Sequence, residues 1–157
     1  MSETKNYVLS WGKPTIECTR LTATGEKTGS AIVFPAIKQG TAQLTTTEGS
    51  KIEAKDLGGN VVDQRVEVNT YEFVCQVYVQ NGADDPIPHD NGVVADNYEF
   101  KLTPESASCR GFMFKKSKVS VVNLWTADDG ELLEYHFKAL QDANGKQLTY
   151  HVGGVEK

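Results

Sequence analysis

The chain has 157 residues, 39% of them hydrophobic and 24% charged, with a formal net charge of -5. A chain of this size buries roughly two-thirds of its unfolded surface, so one domain can fold without a disulfide or a metal. The apolar share excludes wholesale disorder, and the acidic balance argues against gripping nucleic acid directly, which needs a basic footprint.

The N-terminal part reads as short strands broken by turns: Tyr7–Trp11, Thr15–Leu21, Ala31–Phe34 and the Thr-rich Thr41–Thr47. Gly25 to Ser30 is turn material, and Pro35 ends the third run. Lys51–Asp56 and Val61–Val66 flank Gly58-Gly59 and predict a hairpin. Asn69–Gln80 (NTYEFVCQVYVQ) has the clearest two-residue period. Tyr71, Phe73, Cys75, Val77 and Val79 fall on one face, and Glu72, Val74, Gln76, Tyr78 and Gln80 on the other. Asn81–Asn91, with two prolines, is an exposed arm or a functional loop by composition. A strand resumes at Asn97–Leu102. Thr103-Pro104-Glu105 then predicts one short helix, with a Thr N-cap and Pro at the first helical position, stopped by Gly111.

Lys118–Trp125 alternates, with Val119, Val121 and Trp125 on one face; Trp125 is expected to pack at the edge of the core. A turn at Ala127–Gly130 leads to Leu133, Tyr135, Phe137 and Ala139 alternating against Glu134, His136 and Lys138. After Asp142–Gly145, Gln147–Val152 completes a three-stranded meander. The fold expected is mainly β, a β-sandwich or barrel with one short helix, in a single domain spanning residues 1–157.

Catalytic signatures are missing. Cys18, Cys75 and Cys109 are far apart with no C-x-x-C, which reads as free thiols of a reducing compartment. His89, in an acidic loop with Asp84, Asp85 and Asp90, fits no calcium-loop spacing. His136 alternates outward, and His151 has no partner evident in sequence. Gly25-Glu26-Lys27-Thr28 lacks the earlier glycine of a phosphate loop. No G-x-S-x-G or H-E-x-x-H occurs. The opening residues, MSETKNYVLSWGKPT, hold no apolar signal-peptide core, and no run approaches the roughly 18 apolar residues of a membrane span. The expectation is a non-enzymatic protein without cofactor, metal or membrane, folded in a cytosol.

A resemblance is carried by ordered short matches: QLTTTEG (Gln43–Gly49), EAK (Glu53–Lys55), Gly58-Gly59 followed by Val62-Asp63, the YEF strand, GVVAD (Gly92–Asp96), LTPE (Leu102–Glu105), and VSV through WTADDG to YHFKAL. In this order they resemble small phage tail-tube structural proteins of the kind carried by prophages of gut Bacteroidales. The matches span roughly residues 30 to 150; residues 1–30 depart from the pattern and are a candidate arm. The short predicted helix is a second departure.

The resemblance implies self-association into homohexameric rings that stack into a tube, contact with other tail proteins, and location in the virion tail after assembly in the host cytoplasm. DNA would pass through the lumen without specific binding, helped by the negative charge of six acidic copies. Gly58, Gly59, Val74 and Tyr78 are the expected subunit contacts. Glu48, Glu53, Asp56, Asp63 and Glu67, clustered around the central hairpin, are the expected lumen-facing acids. Two other readings remain: a β-sandwich binding or adhesion module, and the tube protein of a phage-like contractile injection system.

Overall fold

The computed structural model describes residues 12–80, 82, 84–106, 108–152 and 155–156. Among them are eleven strands and no helix. In chain order they are β1 (Thr15–Leu21), β2 (Lys27–Val33), β3 (Gln43–Thr47), β4 (Lys51–Lys55), β5 (Val61–Val66), β6 (Thr70–Tyr78), β7 (Tyr98–Thr103), β8 (Arg110–Thr126), β9 (Gly130–Ala139), β10 (Thr149–Val152) and β11 (Val155–Glu156). All pairings are antiparallel, and the fold is mainly β as expected.

The main sheet runs β2-β1-β7-β8-β9-β6-β3 and curls until it meets itself. The chain leaving β2 makes the closure. Phe34 N donates to Ile16 O on β1 at 3.0 Å, Lys38 N donates to Gln76 O on β6 at 2.9 Å, and Ala36 O accepts from Tyr78 N at 3.1 Å. Segment 34–38 thus joins the two ends of the wall, so β1, β7, β8, β9 and β6 enclose one barrel-like core. Pro35 lies within this segment, where it breaks the regular ladder of β2.

The core is aromatic. Phe100 sits at its centre, with ring centroids 4.6 Å from Phe73, 4.9 Å from Phe137 and 5.3 Å from Phe114. Phe34 from the closing segment packs against Tyr135 in a tilted arrangement, with ring centroids 5.0 Å apart. Tilted contacts at these separations add to the burial gain of each ring. On β6, Phe73, Cys75 and Val77 turn inward, while Val74 and Gln76 are half-buried on the outer face. The alternation of Asn69–Gln80 therefore reads as expected, and its apolar face is the core face. Burial pushes the Cys75 thiol up to about 12, with the nearby Glu134 charge adding to the effect, so it packs as a small hydrophobe.

Several expectations need correction. The N-cap signal at Thr103-Pro104-Glu105 starts no helix; the chain bends at Glu105-Ser106, and Cys109 N donates to Ser106 O at 3.1 Å. Too few residues separate Pro104 from Arg110 to repay helix nucleation. Strand β8 begins at Arg110, eight residues earlier than its alternation suggests. A bulge explains this: Tyr98 faces Ser117 and Phe100 faces Phe114, so β8 carries an extra residue that flips its inward parity. Ser117, turned inward as a result, donates its Oγ to Tyr98 O at 2.7 Å.

Residues 27–30 belong to β2, and the turn before it is tighter, with Thr22 N donating to Glu26 O at 2.7 Å. Residues 15–30 of the candidate arm are mostly strands of the main sheet, with Ile16 and Cys18 buried; Tyr7–Trp11 lies outside the described residues. The C-terminal meander is also altered. β10 pairs with β8 and not with β9, continuing β9's line along the same long strand. Finally, Trp125 is 72% exposed, because β8 runs past the end of the barrel before it turns.

Loop 84–96 is tied down instead of projecting. Ile87 is fully buried, with Tyr135 Oη donating to its carbonyl at 3.4 Å. Asn91 and Gly92 both have positive φ, the signature of a tight primed turn. Val93 then bridges to Ser120 on β8.

Candidate assembly surfaces

Strands β4 and β5 form a second, two-stranded sheet that pairs with nothing in the main one. Every residue of both strands is exposed. Its base is narrow. Glu67 N donates to Ser50 O at 2.8 Å, and Asn69 Oδ1 accepts from Gly49 N at 3.1 Å. Gly49 is required there, since any Cβ would strike the Glu67 carbonyl oxygen. The tip is equally ordered. Asp56 accepts the N–H groups of Gly58 and Asn60, both at 2.9 Å, and Gly59 takes φ +84°. The backbone bond from Asn60 is the main reason that the Asp56 carboxyl is held below its usual range.

This hairpin carries an unusual load. Ile52, Leu57, Val61, Val62 and Val66, with Val68 just beyond it, are all more than half exposed. Single exposed aliphatic side chains are ordinary, but six in seventeen residues are not. A lone two-stranded hairpin is also marginal in water without packing.

The structure separates the expected contact residues into two groups. Gly58 and Gly59 are at the tip of the hairpin, whereas Val74 and Tyr78 are on the outer wall of the barrel, on β6. The five expected lumen acids all belong to the hairpin and its flanks. Glu48 lies 3.7 Å from Lys51, Glu53 4.0 Å from Lys55, and Glu67 3.7 Å from Arg65. Asp63 accepts from Gln64 N at 2.8 Å, and Asp56 caps the turn. Exposed pairs of this kind contribute little energy. Across 48–68, five acids still face only three cations.

The outer wall holds a cluster that the sequence reading missed. His136 on β9 lies between two carboxylates, with Nδ1 at 2.9 Å from Glu72 on β6 and Nε2 at 2.6 Å from Glu134. Gln76 Nε2 donates to the other Glu134 oxygen at 2.9 Å. Burial alone would lower the imidazole, but the hydrogen bonds to Glu72 and Glu134 and their charges outweigh it and hold the ring above its ordinary value. Glu134 and His136 are two apart on one face, which sequence does reveal. Glu72 arrives only through the β6–β9 register.

His151, by contrast, is buried and donates from Nε2 to Leu102 O at 2.9 Å, a structural role. His89 Nδ1 accepts from Gly92 N at 3.2 Å and so helps hold the tight turn. The outer edges of β2 and β3, the two ends of the sheet path, have no strand partner among the described residues. Such edges invite pairing with another chain.

No protein-family model matches the chain, and no curated protein matches it.

Proposed function

We propose that this chain is a non-enzymatic structural subunit that assembles with copies of itself into rings, stacked as a phage tail tube through which DNA passes. The observation that carries the reading is the β4–β5 hairpin, an ordered element whose apolar side chains are exposed among the described residues. It is supported by two open sheet edges at opposite ends of one path, the geometry that head-to-tail pairing around a ring uses. The ordered sequence matches supply the tail-tube identity, and with it the six-fold ring, the other tail proteins as partners, the virion tail as destination and the host cytoplasm as assembly site. No cofactor enters. The five hairpin acids line the lumen only if the hairpin borders it.

Negative-stain electron microscopy of concentrated protein, with light scattering for mass, tests this. Rings or tubes are the expected result. Monomers throughout, with or without flanking tail proteins added as initiators, would rule it out. Neighbouring genes for a sheath and baseplate would point instead to a contractile injection system.

A second reading, a β-sandwich binding module, draws on Trp125. This exposed ring at the β8–β9 turn could stack on a sugar. A glycan array gives a hit that Trp125→Ala abolishes if that reading is right.

A further inference from the structure

The β4–β5 sheet has two outer edges, and neither has a strand partner among the described residues. Which main-chain groups face outward follows from its register. Ser50 O accepts from Glu67 N at 2.8 Å, and Asp56 N donates to Asn60 O at 2.9 Å. Ile52 and Ala54, in step with Ser50, therefore bond inward to Arg65 and Asp63. Lys51 and Glu53 turn their N–H and C=O groups to the open edge. A free edge of this kind is a template for a further strand. A sheet of two strands also falls short of the three or more that hold together unaided.

The order of side chains along the β4 edge complements itself. With two copies antiparallel about Ile52, Lys51 of each chain meets Glu53 of the other, Ile52 meets Ile52, and Ser50 meets Ala54. Opposite charges and apolar pairs directly across are the favourable cross-strand combinations. Centred on Glu53, the strands would set Lys51 against Lys55 and Glu53 against itself; centred on Ala54, they would set Ile52 against the Asp56 carboxylate. Within one chain Lys51 lies 3.7 Å from Glu48 and Glu53 4.0 Å from Lys55, exposed contacts loose enough to exchange. The midpoint, Ile52, is 56% exposed. The other open edges select no register in this way. β2 and β3 hold one charge between them, on Lys27. β5 has a similar order around Gln64, but the outward N–H of Gln64 already donates to Asp63 Oδ1 at 2.8 Å.

We infer that the open β4 edge is a homotypic pairing site, where β4 of one copy adds antiparallel to β4 of a second about Ile52. The product is a four-stranded sheet, β5-β4-β4-β5, with Ile52 of both copies at its centre. The contact is two-fold and closes on itself, unlike the head-to-tail contact of a ring. It goes beyond the ring reading and stands without it. An edge of five residues buries less than a stable complex needs, so the pair is weak, with an expected Kd on the order of 0.1 mM.

The test adds single cysteines to the full chain, whose own three cysteines are buried. At the two-fold centre the facing Cβ atoms lie about 4.5 Å apart, near disulfide reach, so Ile52→Cys should cross-link to itself under mild oxidation. Ala54→Cys should cross-link with Ser50→Cys and not with itself. Stronger self-linking at Gln64→Cys than at Ile52→Cys, or equal yields at all these positions, would overturn the inference. Sedimentation equilibrium without oxidation gives the second arm. Lys51→Glu should raise the dimer Kd on the order of tenfold. Lys51→Glu combined with Glu53→Lys should restore it, because the swap rebuilds both charge pairs. Both positions are exposed, so the thermal midpoint should not move. A swap that fails to rescue, or a parent chain with no dimer at about 1 mM, would also overturn it. Dimers without rings remove the ring reading and keep this one; rings without the cross-link at position 52 do the reverse.

Discussion

The barrel and the β4–β5 hairpin are built from the same residue types and end in opposite states. Ile52 and Ala54 alternate with charged residues in β4, and β5 combines three valines with Asp63, Gln64 and Arg65, the same kinds of residue that build β6 or β9. In the barrel, one face of each central strand is sealed by another strand of the same chain. In the hairpin no such strand exists among the described residues, and every side chain of β4 and β5 is exposed. Pattern and propensity make a strand; a partner surface makes it buried. An apolar hairpin held by a tight base and a capped tip is what the proposed assembly role requires.

Three substitutions probe the barrel side of this comparison. Phe100→Ala, at the centre of four rings, should cost about 3–5 kcal/mol in urea unfolding, enough to unfold a marginal domain. A loss under about 1 kcal/mol would mean the aromatic cluster is not the main source of stability. Ser117→Ala leaves Tyr98 O without its side-chain donor and should cost about 1 kcal/mol. The β8 bulge that turns Ser117 inward should survive, which amide exchange along β7 and β8 can check.

The His136 clamp gives a smaller, pH-dependent effect. Its folded value is raised above the unfolded 6.5. Its contribution is therefore complete below about pH 6.5 and is lost as pH rises through the folded value, when Glu72 and Glu134 are left facing a neutral ring. Unfolding midpoints measured from pH 5.5 to 8.5 should fall over the upper part of that range, and His136→Gln should flatten the slope. A slope unchanged in the variant would place the pH dependence elsewhere.

How much of this could be read from the chain differs between the same two regions. Three strands were legible: Thr15–Leu21, Val61–Val66 and Asn69–Gln80 lie within a residue or two of the observed elements, and the last keeps one inward parity throughout. Parity fails in β8, because the bulge opposite Tyr98 switches the inward set from Phe114 to Ser117. The first half of the strand thus carried no single period, and Pro104 with Gly111 suggested a helix in its place. Barrel closure was not legible either, since segment 34–38 looks like the end of a run at Pro35 and acts only through hydrogen bonds to distant β1 and β6. For the assembly surfaces, Gly58-Gly59 marked the hairpin correctly, but nothing local says that a valine is exposed. Trp125 failed for the same reason. Its parity is that of a core residue, but it lies beyond the point where the barrel ends.

The smallest expected effect on folding is also the sharpest test of the comparison. Ser50 and Glu67 already meet at the hairpin base through a 2.8 Å backbone hydrogen bond, so residues 51–66 can be replaced by Asn-Gly, the dipeptide that a tight hairpin turn prefers. Among the described residues the excised strands pair only with each other, so the barrel should lose no core contact. Its unfolding free energy should stay within about 0.5 kcal/mol of the parent, the range of surface changes. Assembly should disappear, because all but one of the exposed aliphatic side chains of this region are gone. If the shortened chain were instead destabilised by several kcal/mol, the hairpin would have to pack on its own barrel in solution, and the separation of body and arm would not hold.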